Sequence, residues 1–173
     1  MSDTLITIIA IALAAVLMFI FPLMTMSDRT DDVSQLAVEA ATTEFVDQAR
    51  TTGKITRSNY DELVETITAT GNTYEVEMSV QVKDANLGKK VSQAQPDKIG
   101  ENSSYFVYTS QIEEQLDANG AYYCKEGDIV SVSVKNTSQT LSQQLKNFFY
   151  TVTGNDSYTI AAEHSGIVTA NGK

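Results

Sequence analysis

Few side chains in this chain are equipped for covalent or acid–base chemistry, and they are easily surveyed. His164 is the single histidine and Cys124 the single cysteine. A Ser-His-Asp arrangement or a cysteine nucleophile would therefore have to recruit His164 as its base, and a two-histidine metal site within one chain is excluded. Cys124 stands in Tyr122-Tyr123-Cys124-Lys125, where one adjacent lysine is the sole feature that favours a thiolate. A lone thiol of this kind reads as a small buried hydrophobe, and His164 beside Glu163 reads as an exposed strand-end histidine. One cysteine also excludes an intramolecular disulfide and a four-thiolate metal centre. The acids Asp28, Asp31 and Asp32 have the character of calcium ligands but lack the spacing of an EF-hand loop, so they are expected to be solvated. Neither a phosphate-binding loop nor a dinucleotide glycine fingerprint occurs. Asn102-Ser103-Ser104, Asn136-Thr137-Ser138 and Asn155-Asp156-Ser157 fit the glycosylation pattern, which chance explains in a chain rich in Asn, Ser and Thr. The expectation is a protein without catalytic residues, cofactor, metal or small-molecule substrate.

Charge narrows the partners. With 22 Asp and Glu against 12 Lys and Arg, the formal charge is −10, which argues against a phosphate backbone as ligand.

The dominant signal is N-terminal. No charged residue occurs from Thr4 to Ser27, and Leu5 to Phe21 is apolar on every helical face. A run of about 20 such residues matches the hydrocarbon thickness of a bilayer, and a helix apolar all round belongs in lipid or in a large core. Pro22 falls near its end, where a kink is tolerated. A cleaved signal peptide is the rival, disfavoured by the missing basic flank, the length of the run and the poor cleavage site Met24-Thr25-Met26. Residues 1–27 are thus expected to form a transmembrane anchor, with the bilayer as first partner. Arg29, among three aspartates, leaves the positive-inside rule almost nothing to count.

Residues 28–173 suffice for one α+β domain. Val33, Leu36, Ala37, Ala40, Ala41, Phe45 and Ala49 recur at helical spacing from Asp32 to about Gly53, and Asp28–Asp32 is either a break or a continuous turn. Ser58 with Asp61 predicts a second helix carrying Tyr60, Leu63, Val64 and Ile67, ended by Gly71. Tyr74, Val76, Met78, Val80 and Val82 alternate with polar residues in the clearest strand, Thr73 to Lys83. Asp84 to Ser104 reads as a long mobile loop with room for an edge hairpin. Ser110 with Glu113 predicts a helix over Ile112 and Leu116, ended by Asn119-Gly120. Asp128 to Lys135 alternates as a strand through Val130, Val132 and Val134. Thr140 with Gln143 opens a further helix with Leu141, Leu145, Phe148, Phe149 and Val152 inward and Gly154 at its end. Tyr158, Ile160 and Ala162 begin a last strand that Gly166-Ile167-Val168 continues or bulges. The sum is a small, mainly antiparallel sheet with helices packed on one face.

An apolar helix leading into an amphipathic helix and a small sheet resembles type IV pilins and pseudopilins. The segments Gly53-Lys54-Ile55-Thr56, Tyr60, Thr70-Gly71-Asn72-Thr73-Tyr74 and Ser165-Gly166-Ile167-Val168 are similar to TadE-like small membrane proteins of Tad-type pilus and conjugation-type secretion loci. The resemblance implies a structural or assembly subunit with its domain outside the cytoplasmic membrane, in the cell envelope or a surface filament, that packs with copies of itself or other pilin-like subunits. The glycine that precedes the apolar helix of type IV pilins and the glutamate at their fifth mature position have no counterpart in Met1-Ser2-Asp3. On this resemblance Asp3 is a charge partner for a neighbouring subunit's amino terminus; as a plain residue it is a helix N-cap in the headgroup region. Ala10, Ala12, Ala14 and Ala15 offer small residues for helix packing in lipid. A tethered binding or accessory module for a secretion channel or cell-envelope ligand is the alternative function.

Overall fold

The computed structural model describes residues 2–84, 104–150 and 159–172. It is an α+β protein: a long N-terminal helix, apolar over its first half, carries a small antiparallel sheet and three shorter helices on its second half.

Helix α1 runs from Ser2 to Thr52 without interruption, 51 residues, or about 77 Å at 1.5 Å per residue. The Asp28–Asp32 segment is thus continuous helix and not a break. Pro22 sits inside α1, where its missing N–H costs one helical hydrogen bond. The hydroxyls of Thr7 and Thr25 donate to the carbonyls of Asp3 (2.7 Å) and Phe21 (3.0 Å), which leaves no hydroxyl proton unpaired on these two threonines in the apolar half. α1 ends at Gly53, whose φ of +69° suits a residue without Cβ. A Cβ there would lie 2.3 Å from the Ala170 carbonyl oxygen, so the glycine also admits the C-terminal segment.

The remaining elements are β1 (Lys54–Thr56), α2 (Arg57–Thr68), β2 (Tyr74–Lys83), β3 (Ser104–Tyr108), α3 (Thr109–Asn119), β4 (Ala121–Tyr123), β5 (Ile129–Asn136), α4 (Leu141–Tyr150) and β6 (Ala161–Ile167). The main sheet has the order β3-β2-β5-β6 with every neighbour antiparallel; β1 and β4 pair separately. Met78, Val80, Val130, Val132, Val134 and Ala162 point from the sheet into one cluster with Val38, Phe45, Val46 and Ala49 of α1, Leu63 and Ile67 of α2, and Ile112 and Leu116 of α3. The strands follow the alternation expected of one buried and one wet face.

Several expectations are corrected. The inward face of α1 carries Ser27, Asp31, Ser34, Val38, Thr42, Phe45, Val46 and Ala49, whereas Val33 and Leu36, expected inside, are each 66% exposed. The apolar residues of this half fall into two stripes, and the sheet takes the one with more polar company because Ser34 and Thr42 return their hydroxyls to the Thr30 and Val38 carbonyls. Helix α2 is capped by Thr56, whose side chain accepts from the Asn59 N–H, and not by Ser58. Helix α3 starts at Thr109 with Gln111 accepting from the Tyr108 N–H, ahead of the expected Ser110. The capping box at α4 is as expected, with Thr140 N–H on Gln143 Oε1 (3.0 Å) and Gln143 N–H on Thr140 Oγ1 (3.2 Å), but Leu141 is exposed because it lies on the side away from α1. Strands β1, β3 and β4 were absent from the sequence expectation. The loop expected at 84–104 lies, apart from Asp84 and Ser104, outside the described residues, as do Val152, Gly154 and Tyr158.

Candidate functional site: the two halves of helix α1

From Asp3 to Met26 no side chain is buried against the rest of the chain. Leu5, Ile8, Ile11, Met18 and Phe19 are each more than 60% exposed, an arrangement whose favourable solvent is hydrocarbon. The helix is long and apolar enough to span a membrane. Asp3 lies in its first turn, where a carboxylate favours the positive end of the helix dipole, and is exposed. The four alanines do not share one face. At 100° per residue, Ala10 and Ala14 lie together on one side, with Ala12 and Ala15 on another.

The change of environment begins at Ser27, the first buried residue of α1. Asp32 is exposed, as expected, whereas the other two acids expected to be solvated, Asp28 and Asp31, are engaged by α4 and the Thr140 that precedes it. Lys146 Nζ lies 2.6 Å from Asp28 Oδ1, the Ser142 hydroxyl donates to the same oxygen, and the Thr140 hydroxyl donates to Asp31 Oδ2 at 2.7 Å. The lysine and the serine hydroxyl hold the Asp28 carboxyl below the usual carboxylate range. Burial pushes Asp31 in the opposite direction, ahead of the lowering effect of its Thr140 bond. This junction ties α4 to the point where the apolar helix enters the domain, so the acids clamp an element and do not form an open cation site. Further along, Gln35 accepts from the Ala161 N–H (3.1 Å) and donates to the Ala161 carbonyl (2.8 Å), closing the end of the β6 edge as a neighbouring strand would.

The chemically reactive candidates are structural in placement. Cys124 is buried, and burial pushes its thiol up to about 12, the nearby Asp128 carboxylate adding to the shift. Its N–H donates to the Gly53 carbonyl and its own carbonyl accepts from Gly172. His164 sits half-buried in β6 opposite Val132, not at an exposed strand end. Among the described residues no hydrogen bond joins the pair, and no group of three His, Cys, Asp or Glu is arranged to hold a metal. Asn136 is buried with its amide donating to the Ser138 carbonyl, so this glycosylation pattern is not presented to solvent; Asn102 and Asn155 lie outside the described residues.

Sequence reasoning missed Asp128, which is buried and accepts from the Lys83 and Lys125 N–H groups, locking the turn before β5. The signal was Glu126-Gly127-Asp128, with Gly127 at φ +90°. It also missed a groove of about 610 Å³ over the outer sheet face, where Glu77, Ser133 and Glu163 form one cross-strand row beside Tyr108 and Ser131. Strand β3, at the edge of the sheet among the described residues, adjoins it, with Phe106 and Tyr108 exposed and their rings stacked at 6.2 Å.

No protein-family model, no curated protein and no solved structure matches the chain.

Proposed function

We propose that this chain is a non-catalytic, membrane-anchored structural or assembly subunit, pilin-like in layout, of a Tad- or type IV-like pilus, secretion or conjugation system. The observation that supports this best is the unbroken α1: one rigid rod is free of the domain for half its length and is the domain's central core helix for the other half. A flexible tether would suffice to hold a domain near a membrane. A continuous helix instead fixes the domain's height and rotation relative to the bilayer, as an assembling subunit requires. In this reading the domain lies outside the cytoplasmic membrane, and the membrane half of α1 packs against copies of itself or related subunits.

The test is cross-linking of the intact chain in cell membranes, with single cysteines placed in turn at Ala10, Ala12, Ala14 and Ala15. The expected result is an adduct with another copy or another membrane protein at one or more of these positions. An absence of adducts at all four overturns the subunit reading. The groove over Glu77, Ser133 and Glu163 favours a second reading, a tethered binding module for a secretion channel or envelope ligand, which a chain that remains monomeric in the membrane supports.

A further inference from the structure

Beyond the apolar stretch, every exposed apolar residue of α1 falls on one narrow stripe. Between Met26 and Asp47 the exposed apolar side chains are Met26, Val33, Leu36 and Ala40. The other exposed positions of this stretch are Arg29, Thr30, Asp32, Glu39, Glu44 and Asp47. With Arg29 included, the stripe has the positions 26, 29, 33, 36 and 40, a strict alternation of three and four residues. That is the spacing of the a and d positions of a left-handed coiled coil, in which only another helix fills the gaps between successive knobs. The same alternation runs back without a phase change through Pro22, Phe19, Ala15 and Ala12 in the apolar half.

The location of the stripe matters as much as its period. It lies on the side of α1 opposite the face that Val38, Thr42, Phe45 and Ala49 turn into the domain. Two copies joined along it hold their domains on opposite sides of the seam, without collision. Thr30 and Asp32 flank it with polar groups, which fits the wet margins of a helix pair and not a lipid contact. A bilayer also holds membrane-spanning copies parallel and at equal height, so position 33 of one copy meets position 33 of the next without any further device.

We propose that α1 pairs in parallel with α1 of a second copy along a seam that starts in the membrane at Ala12 and leaves it as Met26, Val33, Leu36 and Ala40. The seam rests on the membrane-anchored subunit reading above and adds its partner and register. It extends about 21 Å past Met26, at 1.5 Å per residue. Arg29, the one charged residue within it, lies at a d-type position, where polar groups specify register and oligomer state at a cost in stability. Ala12 and Ala15 lie on the seam in the membrane half, and Ala10 and Ala14 lie off it.

The test uses the purified full-length chain in liposomes, so that a second copy is the sole available partner. Single cysteines are introduced at each position from Met26 to Glu44 in turn, and disulfide dimer is measured after mild oxidation, with the unsubstituted chain as control for Cys124. The expected result is a yield that peaks at 26, 29, 33, 36 and 40, several-fold above Asp32→Cys and Glu39→Cys. A flat profile overturns the seam. A flat profile beside adducts at any of Ala10, Ala12, Ala14 and Ala15 in cell membranes overturns the seam and leaves the subunit reading standing; a flat profile with adducts at none of the four overturns both. A Leu36→Glu variant offers a second check: it is expected to abolish the dimer at Val33→Cys while leaving the domain's thermal melt unchanged, because Leu36 touches solvent and not the core. Undiminished cross-linking in that variant contradicts the seam.

Discussion

Residues 4–26 and 27–52 belong to one helix with one backbone geometry, yet they solve opposite problems. The first half is apolar in every direction and buries no side chain against the rest of the chain. The second half buries one face, which mixes Val38, Phe45, Val46 and Ala49 with Ser27, Asp31, Ser34 and Thr42. In hydrocarbon an unpaired polar group has no water to fall back on, so hydroxyls such as Thr7 and Thr25 return to the helix's own carbonyls. In the domain a buried acid can instead recruit a partner element, as Asp31 recruits Thr140. Return of hydroxyls to the helix's own carbonyls is common to both halves, as Ser34 and Thr42 show, and what the domain adds is a partner from another element.

The largest effect that sharpens this comparison comes from truncating one phenylalanine in each half. Phe45 is 3% exposed and Phe19 is 79% exposed. Phe45→Ala is expected to destabilise the domain by about 3–5 kcal/mol, whereas Phe19→Ala is expected to change its stability by no more than about 0.5 kcal/mol. Thermal melts of the full chain in detergent micelles, followed by near-ultraviolet circular dichroism, compare the two. Equal losses would break the division between the halves.

A smaller effect probes the junction through pH. The Asp28 carboxyl is held below its ordinary 3.8, so its bonds stabilise the fold above that value and are lost as pH falls through the lowered one. Asp31 is raised, so its favourable contribution is complete below 3.8 and is lost as pH rises through the raised value. Lys146→Met is therefore expected to destabilise at neutral pH, by at most about 1 kcal/mol for a pair this exposed, with the loss vanishing in acid. Asp31→Asn is expected to stabilise at neutral pH, with the gain vanishing in acid. Melting midpoints from pH 3 to pH 7 read both signs, and like signs would contradict the clamp.

Much of the fold was legible because its signals are local. The alternation from Tyr74 to Lys83 and through Val130, Val132 and Val134, together with the Thr140/Gln143 box, needs no knowledge of the rest of the chain. Strands β1 and β4 were illegible because each has only three residues and exists through pairing between Lys54–Thr56 and Ala121–Tyr123. Strand β3 was missed because Tyr105 and Phe106 are both exposed, so its burial does not alternate as an inner strand's does. The face of α1 was misread for a related reason. Val33 and Leu36 are more apolar than Ser34 and Thr42, and hydropathy alone assigns them to the core; a second stripe is invisible until the first is seen to be occupied. Of the candidate chemistry, the buried nature of Cys124 was readable from its type and surroundings, while the partners of Asp28 and Asp31 depended on α4, more than 100 residues away.

The central claim is that the first half of α1 lives in a bilayer, and alkaline carbonate extraction of membranes containing the intact chain tests it most directly. The account predicts that the protein stays with the sedimented bilayer, as an integral span does. Release into the supernatant would contradict it, and with it the subunit and the seam built on that span.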